Sequence, residues 1–288
     1  MGRIGLLRGD VEVNFIKLLA PDFAIGRVLM MAKAVAEIIV LLVRHPSKQS
    51  LRFARIILQV KPRFTMVANS NLIDLYRLVQ EANKLGLPGD IVECGVWNGG
   101  SAAMMGVASA EGQYARPRVM WLFDSFQGLP CPTERDGDLE RKSYFANWNI
   151  GDPEKVKQIF GKLGLGLENV RIVPGWFEVT LTTVPLQTIA VLHIDADWYD
   201  SVKTVLEVLY DKVVPGGFII LDDYGYWKGC TQAWHDFLSE HEIENVSIRR
   251  NGRAGAFLQK PTPPMNLPIR SSPFCTNVHG GQEVLCKE

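Results

Sequence analysis

Two apolar runs in the second half of the chain each end in aspartates. The stretch "VLHIDADWYDS" places Asp195, Asp197 and Asp200 within six positions, and "IILDDYG" supplies Asp222 and Asp223. If both runs are neighbouring strands about 4.8 Å apart, their carboxyl ends bring Asp195, Asp222 and Asp223 together. Three clustered carboxylates repel one another unless a cation lies among them. Because oxygen ligands suit Mg²⁺, Mn²⁺ or Ca²⁺ and not structural zinc, these three residues are candidate metal ligands.

The same aspartates have a structural alternative. One or two of them could cap the helices that follow, and Asp200, just inside the next predicted helix, is the best candidate for capping. Side chains alternate along a strand, so His193, Asp195 and Asp197 point to one side if the chain stays extended. We expect His193 to be a core residue behind the cluster, not a ligand.

A glycine-rich turn follows the first predicted strand, in "IVECGVWNGGS". Gly95, Gly99 and Gly100 would let the backbone approach a ligand closely. A dinucleotide-binding turn needs glycine where Trp97 stands, so a nicotinamide dehydrogenase is disfavoured. A sulfonium nucleoside has no pyrophosphate, and Glu93 could attract its ammonium group. The turn alone fits a tight strand-to-helix connection equally well.

The second predicted strand, in "WLFDSFQG", ends in Asp124, which lies 31 residues after Glu93. An acid at this position can accept both ribose hydroxyls of a nucleoside, and Phe126 could lie on the adenine. The alternative is that Asp124 caps the next segment. The acid, the glycine turn and the order of elements together favour a nucleoside site.

The order of elements predicts an α/β fold with a mainly parallel sheet and helices on both faces. Asn251 and Gly252 predict a terminal hairpin that adds one antiparallel strand. The segment 131–150 is polar and is predicted to be irregular. Strands are predicted at 90–95, 119–124, 170–173, 189–195 and 216–223. Helices are predicted at 71–86, 100–110, 152–164, 199–212 and 231–240.

The composition of the chain indicates its class of ligand and its compartment, and the segments at the two ends differ from the main domain. The chain has zero net charge, which gives no support for nucleic-acid binding, and its five cysteines form no CxxC pair and fit a reducing cytosol. Residues 1–62 are predicted to be a helical extension, 63–260 the main domain, and 261–288 a Pro-rich irregular tail. We therefore expect a cytoplasmic protein.

The extension contains an apolar run of 16 residues, 28–43, which is shorter than the roughly 20 residues of a spanning helix. Lys33 and Glu37 lie four residues apart, on one helical face. The segment Arg44 to Arg63 carries six basic residues and no acid. A lid or subunit interface is the favoured interpretation, and peripheral membrane contact through residues 28–63 is the alternative.

Taken together, these residues resemble the class I S-adenosylmethionine-dependent methyltransferases, whose fold is a Rossmann-like, seven-stranded, mostly parallel sheet with one antiparallel strand. More narrowly, the chain resembles the macrocin O-methyltransferase family, which methylates sugar hydroxyls of antibiotics. The matching stretches include "GDIVECGVWNGGSAAMM", "LFDSFQGLP", "LHIDADWYDSVKTVLEVLY" and "VPGGFIILDDYGYWKGC". They cover about residues 64–240 in the family's order.

The resemblance implies a role for each candidate residue. Asp195, Asp222 and Asp223 would hold Mg²⁺, with Mn²⁺ possible, and Asp197 would be the general base. Oligomers are usual in the family, so a homo-oligomer is expected. The acceptor would be a small molecule or glycan with free hydroxyls. The aromatic residues that offer faces for its sugar, with core packing as the favoured alternative for each tryptophan singly, are Trp148, Trp176, Trp198, Tyr199 and Trp227. The residues expected to bind S-adenosylmethionine are Glu93, Gly95, Val96, Trp97, Ser101, Asp124, Ser125, Phe126, Gly175, Trp176, Phe177 and Asp195.

Two other functions stay open from the sequence. "DAD" is also the DxD pattern of metal-dependent glycosyltransferases, which place a diphosphate on the metal. That hypothesis leaves Glu93, Asp124 and the Asp222–Asp223 pair unexplained. The second alternative is a non-catalytic protein that binds S-adenosylmethionine, which no residue supports. The N-terminal helices and the loop 131–150 are expected to close over the site and exclude water.

Overall fold

A computed structural model describes residues 24–112, 117–244, 246–250 and 255–262, and its centre is a seven-stranded sheet. The strands are β1 Asp90–Cys94, β2 Met120–Asp124, β3 Val170–Pro174, β4 Ile189–Ile194, β5 Val213–Leu221, β6 Arg249–Arg250 and β7 Ala256–Gln259. Their order is β3-β2-β1-β4-β5-β7-β6, and β7 is antiparallel to both of its neighbours. The predicted Rossmann-like sheet is confirmed. The predicted turn at 251–252 lies outside the described residues.

Nine α-helices lie in the described part of the chain. They are α1 Ala24–Arg44, α2 Lys48–Val60, α3 Asn69–Lys84, α4 Gly100–Glu111, α5 Asp138–Ser143, α6 Pro153–Lys162, α7 Phe177–Thr180, α8 Tyr199–Leu209 and α9 Lys228–Glu240. Asp152 caps α6 by accepting the Glu154 N–H at 2.9 Å, as the Asp-Pro pair indicates. The segment 131–150 is not wholly irregular, because it contains α5.

The sheet separates two apolar layers because successive side chains of a strand point to opposite faces. Ile91 of β1 packs with α2, α3, α4 and α6, whereas its neighbour Val92 packs with α8 and α9. All six residues of β4 are buried, as expected for a central parallel strand. Four strands, β1, β2, β4 and β5, run parallel to one another, so their carboxyl ends lie at the same edge of the buried sheet.

The N-terminal helices lie on the α3 side of the sheet. Ala34 and Ile38 of α1 are buried against the body, while much of the rest of α1 is exposed. The described residues include no helix with the length and apolar character that crossing a membrane requires. Residues 1–23 and 263–288, which include most of the predicted tail, lie outside the described part.

Candidate active site

The three predicted metal ligands lie together at the ends of β4 and β5. Ile194 pairs with Leu221 in the sheet, and the Asp222 N–H continues the ladder to the Ile194 carbonyl at 3.0 Å. This register brings one carboxylate oxygen from each of Asp195, Asp222 and Asp223 within 4.8 Å of one another. The parallel pairing of two acid-ended strands is therefore what assembles the cluster.

The cluster is electrostatically unfavourable by itself. Burial, together with the neighbouring carboxylates Asp222 and Asp223, raises the pKa of Asp195 well above its ordinary value. The pKa of Asp223 is likewise raised by burial and then by Asp197 and Asp222. A cation among the three would offset the repulsion, and an all-oxygen donor set fits a hard divalent ion. The residues present thus fit Mg²⁺ or Mn²⁺.

A buried polar chain supports Asp222 from behind. Asn71 of α3 donates from Nδ2 to Asp222 Oδ1 at 2.9 Å, and His193 Nε2 lies 3.9 Å from the same oxygen. His193 Nδ1 lies 2.9 Å from Glu93 Oε1, with both side chains fully buried. Burial lowers the pKa of His193, but the carboxylates Asp222 and Glu93 raise it to about 10. His193 is thus a core residue behind the cluster, as expected, and it contacts Glu93.

Asp197 has an unusual backbone and a perturbed carboxyl group. Its φ of 56° is in the left-handed region, which non-glycine residues rarely adopt outside functional or strained sites. Trp227 Nε1 donates to Asp197 Oδ1 at 2.9 Å, and the Asp197 N–H donates to Asp223 Oδ2 at 3.2 Å. Burial raises the pKa of Asp197 to about 7, although the Trp227 bond lowers it. The site holds this carboxylate in one orientation.

Asp200 is not the N-cap of α8. Its carboxylate is exposed and lies 3.6 Å from Arg135 Nη1. The first N–H of α8, that of Tyr199, is accepted at 2.8 Å by Asp136 Oδ1 instead. Asp136 comes from the segment predicted to be irregular, so no local pattern around α8 could have identified it.

The glycine turn after β1 packs against protein. A Cβ on Gly95, whose φ is +92°, would lie 1.7 Å from the Asp195 carbonyl oxygen. Side chains at Gly99 and Gly100 would meet Val156 and the Phe64 carbonyl. These contacts give the three glycines a packing role, and Gly95 also lines a cavity, so close approach of a ligand there stays a prediction. The glycines let β1, β4 and their neighbouring segments approach one another.

Asp124 organises the same turn. Its Oδ2 accepts the N–H groups of Val96 and Trp97, each at 2.8 Å, and its Oδ1 accepts the Phe126 N–H at 2.6 Å. Burial raises the pKa of Asp124, while these three bonds lower it. The predicted capping role is thus confirmed, and Asp124 also lines a cavity.

Two cavities open at the carboxyl edge and share a wall. The first cavity borders β1, β2 and the turn after β3. Its lining includes Gly95, Trp97, Asp124, Ser125, Leu129, Pro130, Asn149, Trp176, Phe177, Asp195, Ala196, Asp197 and Ser201. The second cavity lies beside the acid cluster. Its lining includes Met30, Lys33, Asn71, Val96, Trp97, Ser101, Trp148, Asn149, Asp195, Asp197, Asp222, Asp223, Tyr226 and Trp227. Asp195 and Asp197 belong to both cavities.

The predicted cofactor residues divide between these cavities. Seven line the first, namely Gly95, Trp97, Asp124, Ser125, Trp176, Phe177 and Asp195. Val96 and Ser101 line the second, whereas Glu93, Phe126 and Gly175 are in neither lining. Glu93 is fully buried and faces His193, so direct attraction of a ligand by its side chain does not match the structure. Sequence reasoning missed Met66 and Asn149, which line both cavities but carry no chemical signature.

Three of the aromatic residues that were expected to bind the acceptor sugar line a cavity. Trp148 and Trp227 line the second cavity, and Trp176 lines the first. Trp198 and Tyr199 are in the lining of neither cavity. Both side chains are almost fully buried, so core packing explains them. Trp148, Trp198 and Trp227 pack edge to face or tilted, with centroid separations of 5.4–6.5 Å. This aromatic group joins the wall of the second cavity to the core.

Comparison with known proteins identifies the family. A family model described as macrocin O-methyltransferase (TylF) matches residues 44–260. The chain belongs to the macrocin O-methyltransferase family. Membership makes it an S-adenosylmethionine-dependent O-methyltransferase, as predicted, and favours neither a glycosyltransferase nor a non-catalytic binding protein.

Individual relatives agree with the family match. Mycinamicin III 3''-O-methyltransferase of Micromonospora griseorubida is 36% identical over 195 residues, which cover 65% of this chain and 76% of that enzyme. 8-demethyl-8-(2,3-dimethoxy-alpha-L-rhamnosyl)-tetracenomycin-C 4'-O-methyltransferase of Streptomyces olivaceus is 39% identical over 185 residues, 63% of this chain and 70% of that enzyme. The solved structure of the O-methyltransferase NovP has a TM-score of 0.62 and 33% identity, and covers 69% of this chain and 83% of that chain.

Proposed function

We propose that this macrocin-family methyltransferase moves a methyl group from S-adenosylmethionine to a sugar hydroxyl, assisted by a divalent cation. The observation that carries the proposal is that the two cavities meet at Asp195 and Asp197. A donor in the first cavity and a hydroxyl in the second would meet at these carboxylates. Methyl transfer is direct, so positioning of the two reactants supplies much of the rate.

The sugar acceptor is supported by two features. One relative is named for 4'-O-methylation of a compound that carries a dimethoxyrhamnosyl group. In this chain the second cavity joins aromatic faces, Trp148, Tyr226 and Trp227, to the carboxylates of the cluster. Aromatic faces suit the apolar face of a sugar ring, and carboxylates suit its hydroxyls. These features support, as the acceptor, a sugar with free hydroxyls in a natural product or glycan.

Asp195, Asp222 and Asp223 would hold the cation, Mg²⁺ or Mn²⁺, because only oxygen donors are offered. When bound there, the cation lowers the pKa of the acceptor hydroxyl and orients it. Asn71 keeps Asp222 in place through its 2.9 Å bond. His193 lies behind the same carboxylate, with its Nε2 atom 3.9 Å from Asp222 Oδ1.

Asp197 would take the proton from the acceptor hydroxyl. It borders both cavities, and its Oδ1 is fixed by Trp227, which leaves Oδ2 to accept the proton. Trp227 and Trp148 are only 5% and 6% exposed, so they exclude water from this side. Asp124, Trp176 and Phe177 would bind the nucleoside in the first cavity, with Asp124 accepting ribose hydroxyls.

The proposal is tested by calorimetry and by methyl transfer. We expect wild type to bind S-adenosylmethionine and Asp124→Ala to bind it much more weakly, while the exposed control Asp138→Ala binds as wild type does. Radiolabelled methyl transfer is then measured on free, nucleotide-linked and aglycone-linked rhamnose, with Mg²⁺ or with a chelator. Transfer to a sugar that stops in chelator supports the proposal. Transfer that a chelator leaves unchanged contradicts the cation. A simple phenol is assayed beside the rhamnose acceptors, and transfer to the phenol alone contradicts the sugar.

A further inference from the structure

Helix α9 begins without a cap from its own neighbours. The first N–H groups of a helix have no intrahelical partner, and a side-chain oxygen of the N-cap residue usually accepts one of them. The N-cap of α9 is Trp227, whose indole has a donor and no acceptor, and which makes no side-chain capping bond. The first N–H of α9, that of Lys228, is accepted instead at 2.6 Å by Glu140 Oε1. Glu140 belongs to α5 and lies 88 residues earlier in the chain.

Glu140 is a buried carboxylate in a fixed position. Its side chain is only 3% exposed, and it folds over Gly137, where any side chain would collide with it. Leu139 and Tyr144 of the same segment pack against the apolar layer that contains Trp227. Burying a carboxylate is costly, and the positive end of α9 offsets that cost. A serine or an asparagine at position 227 would cap α9 more simply, so the tryptophan there indicates a use for its indole.

The indole of Trp227 reaches the proposed reaction centre. Its Nε1 donates to Asp197 Oδ1 at 2.9 Å, and the side chain is 5% exposed. The backbone of Trp227 is fixed on both sides, because its own N–H donates to the Asp223 carbonyl at 3.1 Å and the next N–H donates to Glu140. The direction of the indole therefore depends on the peptide group that Glu140 holds. One chain of contacts thus leads from Glu140 through Trp227 to Asp197.

Helix α8 is capped in the same way but with a different consequence. Asp136 Oδ1 accepts the Tyr199 N–H at 2.8 Å, beside the N-cap residue Trp198. The indole of Trp198 donates at 3.0 Å to the Pro130 carbonyl, which is a backbone group and not a carboxylate of the site. Of these two distant acids, Glu140 is therefore the one whose contacts lead to the carboxylate that would take the proton.

We propose that Glu140 is a positioning residue for methyl transfer, which sets the orientation of Asp197 through the indole of Trp227. The proposal rests on the role proposed above for Asp197. Glu140 is in the lining of neither cavity, so its effect is indirect. Loss of its bond would move the carboxylate of Asp197 relative to the acceptor hydroxyl. The contacts of the first cavity around Asp124 would stay in place.

The proposal is tested first by kinetics on the rhamnose acceptors. Glu140→Met keeps the length of the side chain but has no oxygen, and we expect kcat to fall about 10- to 100-fold, as misplacement on the order of 1 Å can cause. Glu140→Gln keeps an oxygen that can accept the Lys228 N–H and should retain most of kcat. The affinity for S-adenosylmethionine, measured by calorimetry, should be unchanged in both. Ser47→Ala, which removes the side-chain cap of α2, is the matched control and should keep the wild-type kcat.

A double-mutant cycle separates positioning from a general loss of stability. Trp227→Phe keeps an aromatic ring but removes the indole N–H, and should lower kcat by itself. Addition of Glu140→Met to Trp227→Phe should change kcat by less than about twofold, because both changes act through one bond to Asp197. Losses that multiply, or a wild-type kcat in Glu140→Met, would overturn the proposal.

The indole N–H of Trp227 gives a second measurement, which needs no turnover. Its ¹⁵N–¹H resonance is assigned by its absence from the spectrum of Trp227→Phe. We expect this resonance to shift in Glu140→Met and to stay in place in Glu140→Gln and Ser47→Ala. The resonance of Trp121, whose Nε1 donates to Asp90 at 2.9 Å, should move in none of them.

The two measurements distinguish failure of this proposal from failure of the proposed function. A wild type that transfers no methyl group to any sugar would contradict the function, while a shifted Trp227 resonance in Glu140→Met would still place the indole under the control of Glu140. An unshifted resonance in Glu140→Met overturns the positioning role whatever the activity of the wild type.

Discussion

Asp197 is the residue whose replacement bears most directly on the proposed chemistry. Asp197→Asn keeps the size of the side chain and an oxygen that can accept the Trp227 bond, but it removes the base. We expect kcat to fall by about 10²–10⁴-fold, the usual worth of a general base. The affinity for S-adenosylmethionine should change little, because Asp124 and the aromatic wall of the first cavity remain. Steady-state kinetics and calorimetry measure the two effects.

Asp200→Asn is the matched control for that experiment. Asp200 comes from the same acidic stretch, but its carboxylate is exposed and pairs with Arg135 at 3.6 Å. Exposed pairs of this kind contribute little, so kcat and the melting temperature should remain near wild type. Equal losses in both variants would mean that Asp197 acts by general charge and not as a base.

The acid cluster predicts stabilisation by a divalent cation. Binding to the folded state alone adds about 2.7 kcal/mol when the cation concentration is 100 times Kd. We therefore expect the melting temperature of wild type to rise with Mg²⁺ and fall with a chelator. Asp223→Asn should remove the effect, because one of the three carboxylates is lost. Differential scanning calorimetry of Asp138→Asn, an exposed acid, controls for ionic strength. A response to Mg²⁺ preserved in Asp223→Asn argues against this site.

The sequence was enough to predict which acids lie together where each acid directly follows a strand. Asp195, Asp222 and Asp223 are close together because two neighbouring strands end together. Inference from the sequence failed where the hydrogen-bond partner of an acid is a backbone group or where the acid comes from a distant loop. Asp124 binds three N–H groups of turns whose shape no pattern specifies, and Asp136 reaches α8 from a segment without periodicity.

At the scale of elements, the turn after β1 depends on a missing side chain. Gly95→Ala would place a methyl group 1.7 Å from the Asp195 carbonyl and would keep a φ of +92°. We expect the free energy of unfolding to fall by more than about 3 kcal/mol, because strain and a backbone clash add. The control is Gly164→Ala, where φ is +72° and no atom lies within 4 Å, so only the strain remains. Urea unfolding of both variants gives the comparison, and equal losses would exclude the clash.

The loop before α3 depends on a buried lysine. Lys61, which is 7% exposed, donates to the carbonyls of Met66 and Val67. Burial lowers its pKa from 10.5 to about 8, although Asp222 opposes the change. At neutral pH the folded state therefore carries a buried charge that costs on the order of 3 kcal/mol. Because the unfolded state holds this proton more tightly, stability rises as pH increases from 8 towards 10.5.

Lys61→Met should lack that pH dependence. Between pH 7.5 and pH 9.5 we expect wild type to gain about 2 kcal/mol in unfolding free energy relative to this variant. Lys228→Met, which changes an exposed lysine, should follow wild type across the range. Parallel curves for wild type and Lys61→Met, measured by urea titration, would show that burial does not lower the pKa of Lys61. The loop it supports carries Met66, which lines both cavities.

At the scale of the molecule, alternation of strands and helices was enough to predict the sheet, because parallel strands need helical crossovers. The number of strands and the single antiparallel strand came from the family resemblance and are confirmed, whereas the order of the strands was not predicted. The short helices α5 and α7 were not predicted, since four to six residues hold too little periodicity. The sequence analysis did expect the N-terminal helices to lie over the site, and Met30 and Lys33 of α1 line the second cavity, which agrees with that expectation.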